Sequence, residues 1–163
     1  MAWSAPFSMT SLLDNMDHGT IAAELFLQGY NCAQAVAVAF SDLTGLKPEL
    51  SAKMASSFGG GMGRMREVCG AVSGMLMVVS LLYGYDRPDD EQGKKELYKL
   101  VQNLAGQFRE QAGSIICREL LETPPSDPNP TPRTAEYYRQ RPCARMVLLA
   151  GQILDAYIAE HPV

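Results

Sequence analysis

The chain has 163 residues, 47% hydrophobic and 20% charged, with a formal net charge of −4 and a pI near 5.2. That balance gives enough apolar material for one core and excludes a disordered segment. It also excludes a basic nucleic-acid-binding domain, because Arg139, Arg141 and Arg145 form only a local basic spot.

Residues 1–16 are expected to form a less regular N-terminal segment of one domain covering 1–163. Apolar spacing around Ile21 and Leu25 predicts a helix from Asp17 to Gln28, stopped by Gly29. Asn31 suits an N-cap, and an Ala-rich helix should run from Cys32 until Gly45. Pro48 opens the next helix, PELSAKMASSF, which the glycine run ends. A buried helix is predicted from Glu67 to Tyr83, then a long exposed one over residues 86–111 with acids early and lysines following. A short helix, IICRELLE, precedes TPPSDPNPTPRT, whose five prolines exclude regular helix and predict a surface loop. PCARMVLLAGQILDAYIAE has strong helical spacing and should close the fold. No run of alternating β-branched residues supports a sheet. The expected fold is all-α, a compact bundle of six to seven helices with a Pro-rich loop before the last of them.

The first cationic residue is Lys47, so the N-terminus lacks the positive region of a secretory signal. The longest uncharged run, residues 68–85, has 18 residues, but its three glycines, two serines and two tyrosines fit a buried helix better than a membrane span. A cytoplasmic protein that is not membrane-embedded is the expectation. In that compartment thiols stay reduced, so four cysteines point to metal binding or redox chemistry before structural disulfides.

All four cysteines fall near predicted helix starts. Cys32 follows Asn31, Cys69 begins the buried helix, Cys117 lies in the first turn after Gly113 and Ser114, and Cys143 follows Pro142. Unpaired backbone N–H groups and the helix dipole favour a thiolate there, which is the nucleophile and the metal ligand. The competing reading of any one cysteine is a small buried hydrophobe. Intervals of 37, 48 and 26 residues match no CxxC pattern, so only the tertiary fold could assemble a shared site.

Between the third helix and Cys69 lies GGGMGRM, residues 59–65. It does not satisfy GxGxxG in any register, no GK[ST] follows, and it succeeds a helix rather than a strand. The glycines, Gly61 and Gly63 among them, are better explained as the left-handed turn between two helices and as room for close approach. Arg64 and Arg66 could offset thiolate charge, although a solvated pair is the commoner case. Gly70 and Gly74 share one helix face, and their small-xxx-small spacing allows another helix to pack close beside Cys69.

CGAVSG at 69–74 resembles the CGAxxG signature of a family of small redox-active proteins named for four cysteines, the C_GCAxxG_C_C family. GYNCAQAV at 29–36 is similar to its first-cysteine segment, and Cys117 and Cys143 match its third and fourth. The likeness runs from about Gly29 to Ile153. It implies a redox role, with genes near transporters. A related domain in split-Soret cytochromes carries a cysteine-bound iron–sulfur cluster beside haem. This chain has no CxxCH, so covalent haem is not expected.

The leading expectation is a protein whose Cys32, Cys69, Cys117 and Cys143 converge on an iron–sulfur cluster of the two-iron or four-iron type, for electron transfer or redox sensing. Two alternatives stand beside it: a metal-free thiol–disulfide protein, and a structural zinc or buried-thiol interaction domain associated with a transporter. Gly61, Gly63, Arg64, Arg66, Gly70 and Gly74 would support the site. His18 and His161 are expected on the surface, Met54, Met62, Met65, Met75 and Met77 as core filling, and Tyr137 and Tyr138 as anchors of the Pro-rich loop. Glu67 is expected as an acid at a helix start.

Overall fold

A computed structural model describes residues 16–163; the irregular segment expected for residues 1–16 lies outside these, apart from Met16. Apart from a 3-10 turn, Ser56–Phe58, and a four-residue segment, Gly59–Met62, whose Gly60 and Gly61 are not helical, nine helices account for most of the described chain, and no strand is present among the described residues. They are α1 (His18–Leu27), α2 (Cys32–Ala39), α3 (Ser41–Thr44), α4 (Pro48–Ala55), α5 (Gly70–Tyr83), α6 (Glu91–Ala112), α7 (Cys117–Leu121), α8 (Ala135–Gln140) and α9 (Cys143–Glu160). The all-α expectation holds, with two helices more than foreseen. The chain breaks at Phe40 to give α3, and Thr134, whose hydroxyl accepts from Tyr137 N at 3.2 Å, caps α8 directly after the Pro-rich stretch.

Local chemistry accounts for most boundaries. Asp17 caps α1, and Asn31 with Gln34 forms a reciprocal capping box on α2, at 2.9 and 3.1 Å. Pro48 occupies the first turn of α4, and Gly113 ends α6 in a left-handed conformation. α6 begins at Glu91 rather than residue 86, because Asp90 caps it by accepting from Gly93 N at 2.9 Å.

The core is built by α1, α2, α5 and α9 around Phe26, Phe40, Met75 and Leu154, with Leu104 and Phe108 supplied by α6. Two crossings are close enough to demand glycine. A Cβ on Gly74 of α5 would lie 2.6 Å from Ala33 O of α2, and one on Gly151 of α9 would strike the backbone of Gly19 in α1. The small-xxx-small face predicted for Gly70 and Gly74 is therefore the α2–α5 contact. It brings the start of α5 against the start of α2, where two of the cysteines lie.

His18 departs from the surface expectation. Its Nδ1 lies 2.5 Å from Asp155 and its Nε2 3.0 Å from Asp42, while the ring stacks on Phe40 at 4.2 Å. Burial opposes its charging, but the hydrogen bonds of Asp155 and Asp42 prevail and raise its pKa to about 9. His161 does remain exposed, stacked on Tyr157. Met75 fills the core and Met77 packs against the smaller cluster of Ala33, Ala37 and Ala55, whereas Met54 of α4 and Met62 and Met65 of the glycine loop are exposed.

Candidate four-cysteine site

Each cysteine stands where a helix begins. Cys32, Cys117 and Cys143 are the first residues of α2, α7 and α9, and Cys69 is the N-cap of α5. The buried helix predicted from Glu67 starts only at Gly70, because residues 67–69 are extended and pair with 115–117. Val68 and Ile116 form an antiparallel bridge, flanked by Cys69 N to Ile115 O at 2.7 Å and Cys117 N to Glu67 O at 2.6 Å. Glu67 is thus not a helix-start acid; its carboxylate meets Arg118 at 3.0 Å on the surface.

The glycine loop packs beneath this bridge. Gly60, Gly61 and Gly63 have left-handed φ, and so do Met62, Arg64 and Arg66, at +67°, +69° and +59°. Non-glycine residues held there cost on the order of 1 kcal/mol or more each and mark a constrained segment. Arg66 N donates to Gly60 O at 3.2 Å and Glu67 N to Gly61 O at 2.9 Å, closing the loop on itself. A Cβ on Gly61 would fall 2.6 Å from Cys117 Cβ, and one on Gly70 3.0 Å from Cys32 Cβ, so both glycines give room to the thiols. Gly63 provides only a turn, with nothing nearer than 3.9 Å.

The two loop arginines part company, which corrects the solvated-pair expectation. Arg64 reaches outward to Asp127 O at 2.7 Å and Thr131 Oγ1 at 3.0 Å, tying the Pro-rich loop down. Arg66 turns inward and is only 1% exposed, with Nη1 at 3.9 Å from Cys117 Sγ and Nε and Nη2 at 3.4 Å from Ser126 Oγ.

All four cysteines line one cavity of about 50 Å³, together with Arg66, Arg133, Arg141 and Tyr137. At ~10–15 Å³ per water it has room for a few waters. Among the described residues no carboxylate lines it. Tyr137 and Tyr138 do anchor the end of the Pro-rich loop: with Phe26 they sandwich the Arg133 guanidinium, which also donates to Phe26 O and Tyr30 O at 3.4 and 3.2 Å. Arg141 lies 4.5 Å from the Tyr137 ring and donates to Thr131 at 3.4 Å. Arg133 and Arg141 are site residues that sequence reasoning missed. The signal available was position, since Arg141 directly precedes Pro142 and Cys143.

The four sulfurs are electrostatically distinct. A hydrogen bond from the Cys32 thiol pulls Cys143 down to about 7 against its burial, helped by Arg141, Arg133 and Arg66. The same bond to Cys143, reinforced by burial, holds Cys32 well above the usual thiol range. Burial pushes Cys69 up to about 12, with the nearby amides of Ala71 and Val72 pulling the other way. Burial also raises Cys117, with Arg66 working in the opposite direction. No cysteine is in a disulfide.

As a donor set, four thiols lining one cavity suit a thiolate-bound cluster or zinc. Among the described residues no three Cys, His, Asp or Glu side chains are yet drawn together tightly enough to hold a metal ion. The chemistry of the donors fits such a centre; the present side-chain positions are those of free thiols. No described helix is long and apolar enough to cross a membrane.

Fold and site together define an all-α four-cysteine protein. Residues 30–157 match the family described as "Putative redox-active protein (C_GCAxxG_C_C)", and the chain belongs to that family. Its own second motif is CGAVSG, with Cys69 before the glycine rather than after it as in the family's printed pattern. No curated protein and no solved structure matches the chain.

Proposed function

We propose that the cavity is the redox centre of this protein and that Cys32, Cys69, Cys117 and Cys143 hold an iron–sulfur cluster used for electron transfer or redox sensing. The observation that carries the reading is that four thiols from four separate helix starts face one small cavity walled by arginines. When bound, the cluster supplies one-electron chemistry with little change of structure. The chain's own groups prepare the sulfurs. The start of α5 turns the amides of Ala71 and Val72 toward Cys69, which favours its thiolate, and Arg66 points at Cys117. Cys143 is the thiol readiest to ionise, while Cys32 and Cys69 must give up protons, so loading releases protons and tightens as pH rises. A centre of reduced thiols fits a reducing compartment such as the cytoplasm.

Anaerobic purification followed by a visible spectrum and analysis of iron and acid-labile sulfide tests this. A charge-transfer band that bleaches on reduction, lost in Cys69→Ser, supports the cluster. Colourless protein with one equivalent of zinc sinks it in favour of a structural site.

Cys32 and Cys143 line one cavity with opposite pKa shifts, Cys143 lowered and Cys32 raised, which favours one second reading, a dithiol couple in which Cys143 is the attacking thiolate and Cys32 the resolving thiol. Metal-free protein whose free-thiol count rises by two after reductant, with no rise in Cys32→Ser, would establish it.

A further inference from the structure

Arg66 is the largest fully buried side chain of the described chain. A buried guanidinium ordinarily has a carboxylate partner, because desolvating an unpaired charge is costly. Among the described residues Arg66 has none; its contacts are the Ser126 hydroxyl and the Cys117 sulfur. Its position is nevertheless rigidly set. The backbone is left-handed, its N–H bonds to Gly60, and its carbonyl accepts from Arg118 N at 3.1 Å and Arg118 Nη1 at 3.3 Å. Strain and desolvation are thus both incurred to aim a cation into the thiol cavity.

Two more arginines line that cavity. Arg133 and Arg141 are bonded to carbonyls or a hydroxyl and stacked on aromatic rings, and again have no carboxylate partner among the described residues. Cation–π contact and neutral acceptors hold an arginine in place without cancelling its charge. The cavity is therefore lined by three cations and four sulfurs together.

We propose that Arg66, Arg133 and Arg141 form a charge-compensating wall that makes the four-cysteine cavity an anion site, one that favours small anions over neutral molecules of the same size. The inference deepens the redox reading, since both free thiolates and a thiolate-ligated cluster are anionic, but it does not depend on which metal is bound. Arg66 is the positioning residue for Cys117, while Arg133 and Arg141 add positive charge to the same cavity.

The test compares iodoacetate, an anion, with iodoacetamide, its neutral analogue, on metal-free full-length protein at one pH, scoring each cysteine by peptide mass spectrometry. The ratio of the two rates at one sulfur cancels its thiolate fraction and reports the local potential. In native protein the iodoacetate-to-iodoacetamide ratio at Cys117 and Cys143 is expected to exceed the ratio in urea by about tenfold, the effect of a nearby uncompensated cation in a poorly solvated site. Arg66→Gln should lower the native Cys117 ratio several-fold, and Arg66→Lys should retain most of it. An equal ratio in native protein and in urea overturns the proposal, as does Arg66→Gln matching wild type. If Arg66→Gln does not fold, the native-against-urea comparison and the half-buried Arg141→Gln, read at Cys143, decide. A protein that shows the anion preference but neither a cluster nor cycling thiols keeps this inference and loses the redox reading.

Discussion

Cys69 and Cys117 are neighbours because two short extended stretches pair, the amide of each donating across the gap to the other stretch at 2.7 and 2.6 Å. One residue pair, Val68 with Ile116, is enough to set the register. The turn before Cys117 is fixed separately by Ile116 N donating to Ser114 Oγ at 2.9 Å.

The glycine loop offers a sharp contrast within three residues. Gly61→Ala should destabilise by about 1–3 kcal/mol, from a left-handed φ and a collision with Cys117. Gly63→Ala meets open space and should cost only about 1 kcal/mol, from φ alone. Urea unfolding separates them, and only Gly61→Ala should also change the alkylation rate of Cys117. Equal costs would mean that the loop does not seat that cysteine.

Gly74→Ala at the α2–α5 crossing should cost about 1–3 kcal/mol, because its Cβ would sit 2.6 Å from the Ala33 carbonyl oxygen. Gly106→Ala in α6 has nothing within 4 Å and should stabilise by roughly 0.5–1 kcal/mol through helix propensity. Opposite shifts in the thermal midpoint are the expected result; a Gly74→Ala midpoint equal to or above wild type would count against the crossing.

His18 links stability to pH. Its folded pKa, about 9, lies above the ordinary 6.5, so its contribution is complete below pH 6.5 and disappears as pH rises through about 9. His18→Gln should therefore destabilise by about 1–3 kcal/mol at pH 6 and by much less at pH 10. Urea titrations of both proteins at the two pH values check this. A difference independent of pH would show that packing on Phe40, not charge, is what matters.

In metal-free protein the four thiols should react in a fixed order. Cys143, lowered to about 7, should be alkylated first at pH 7.5, and Cys32 and Cys69, both raised, last. The Cys143 rate should fall as pH is taken below 7. Cys32→Ala removes the thiol that donates to Cys143 and should slow Cys143 at pH 7, a change visible by time-resolved mass spectrometry. If Cys69 labels first, the burial assigned to it is wrong.

Much of the fold was legible because helices announce themselves locally. Asn31, Pro48 and Gly113 mark boundaries by their own chemistry, and Gly70 with Gly74 signalled a close crossing by spacing alone. The placement of all four cysteines at helix starts followed from the same signals. What stayed hidden depends on residues far apart in the chain. The pairing of 67–69 with 115–117 is too short to leave a period, and α8 is masked by the prolines ahead of it. His18 looks like a surface residue until Asp42 and Asp155 are brought to it. Arg66 looks solvated until the left-handed loop turns it inward.

The site also has a place in time. Its four thiols come from α2, the start of α5, α7 and α9, so its last wall arrives with the final helix. The α2–α5 crossing closes over a much shorter stretch and can form first, since loop closure favours near contacts. During synthesis Cys32 and Cys69 would therefore meet while Cys143 is still in transit, and they wait as exposed thiols until α9 docks. An oxidant encountered in that interval would find a pair that the finished protein keeps covered.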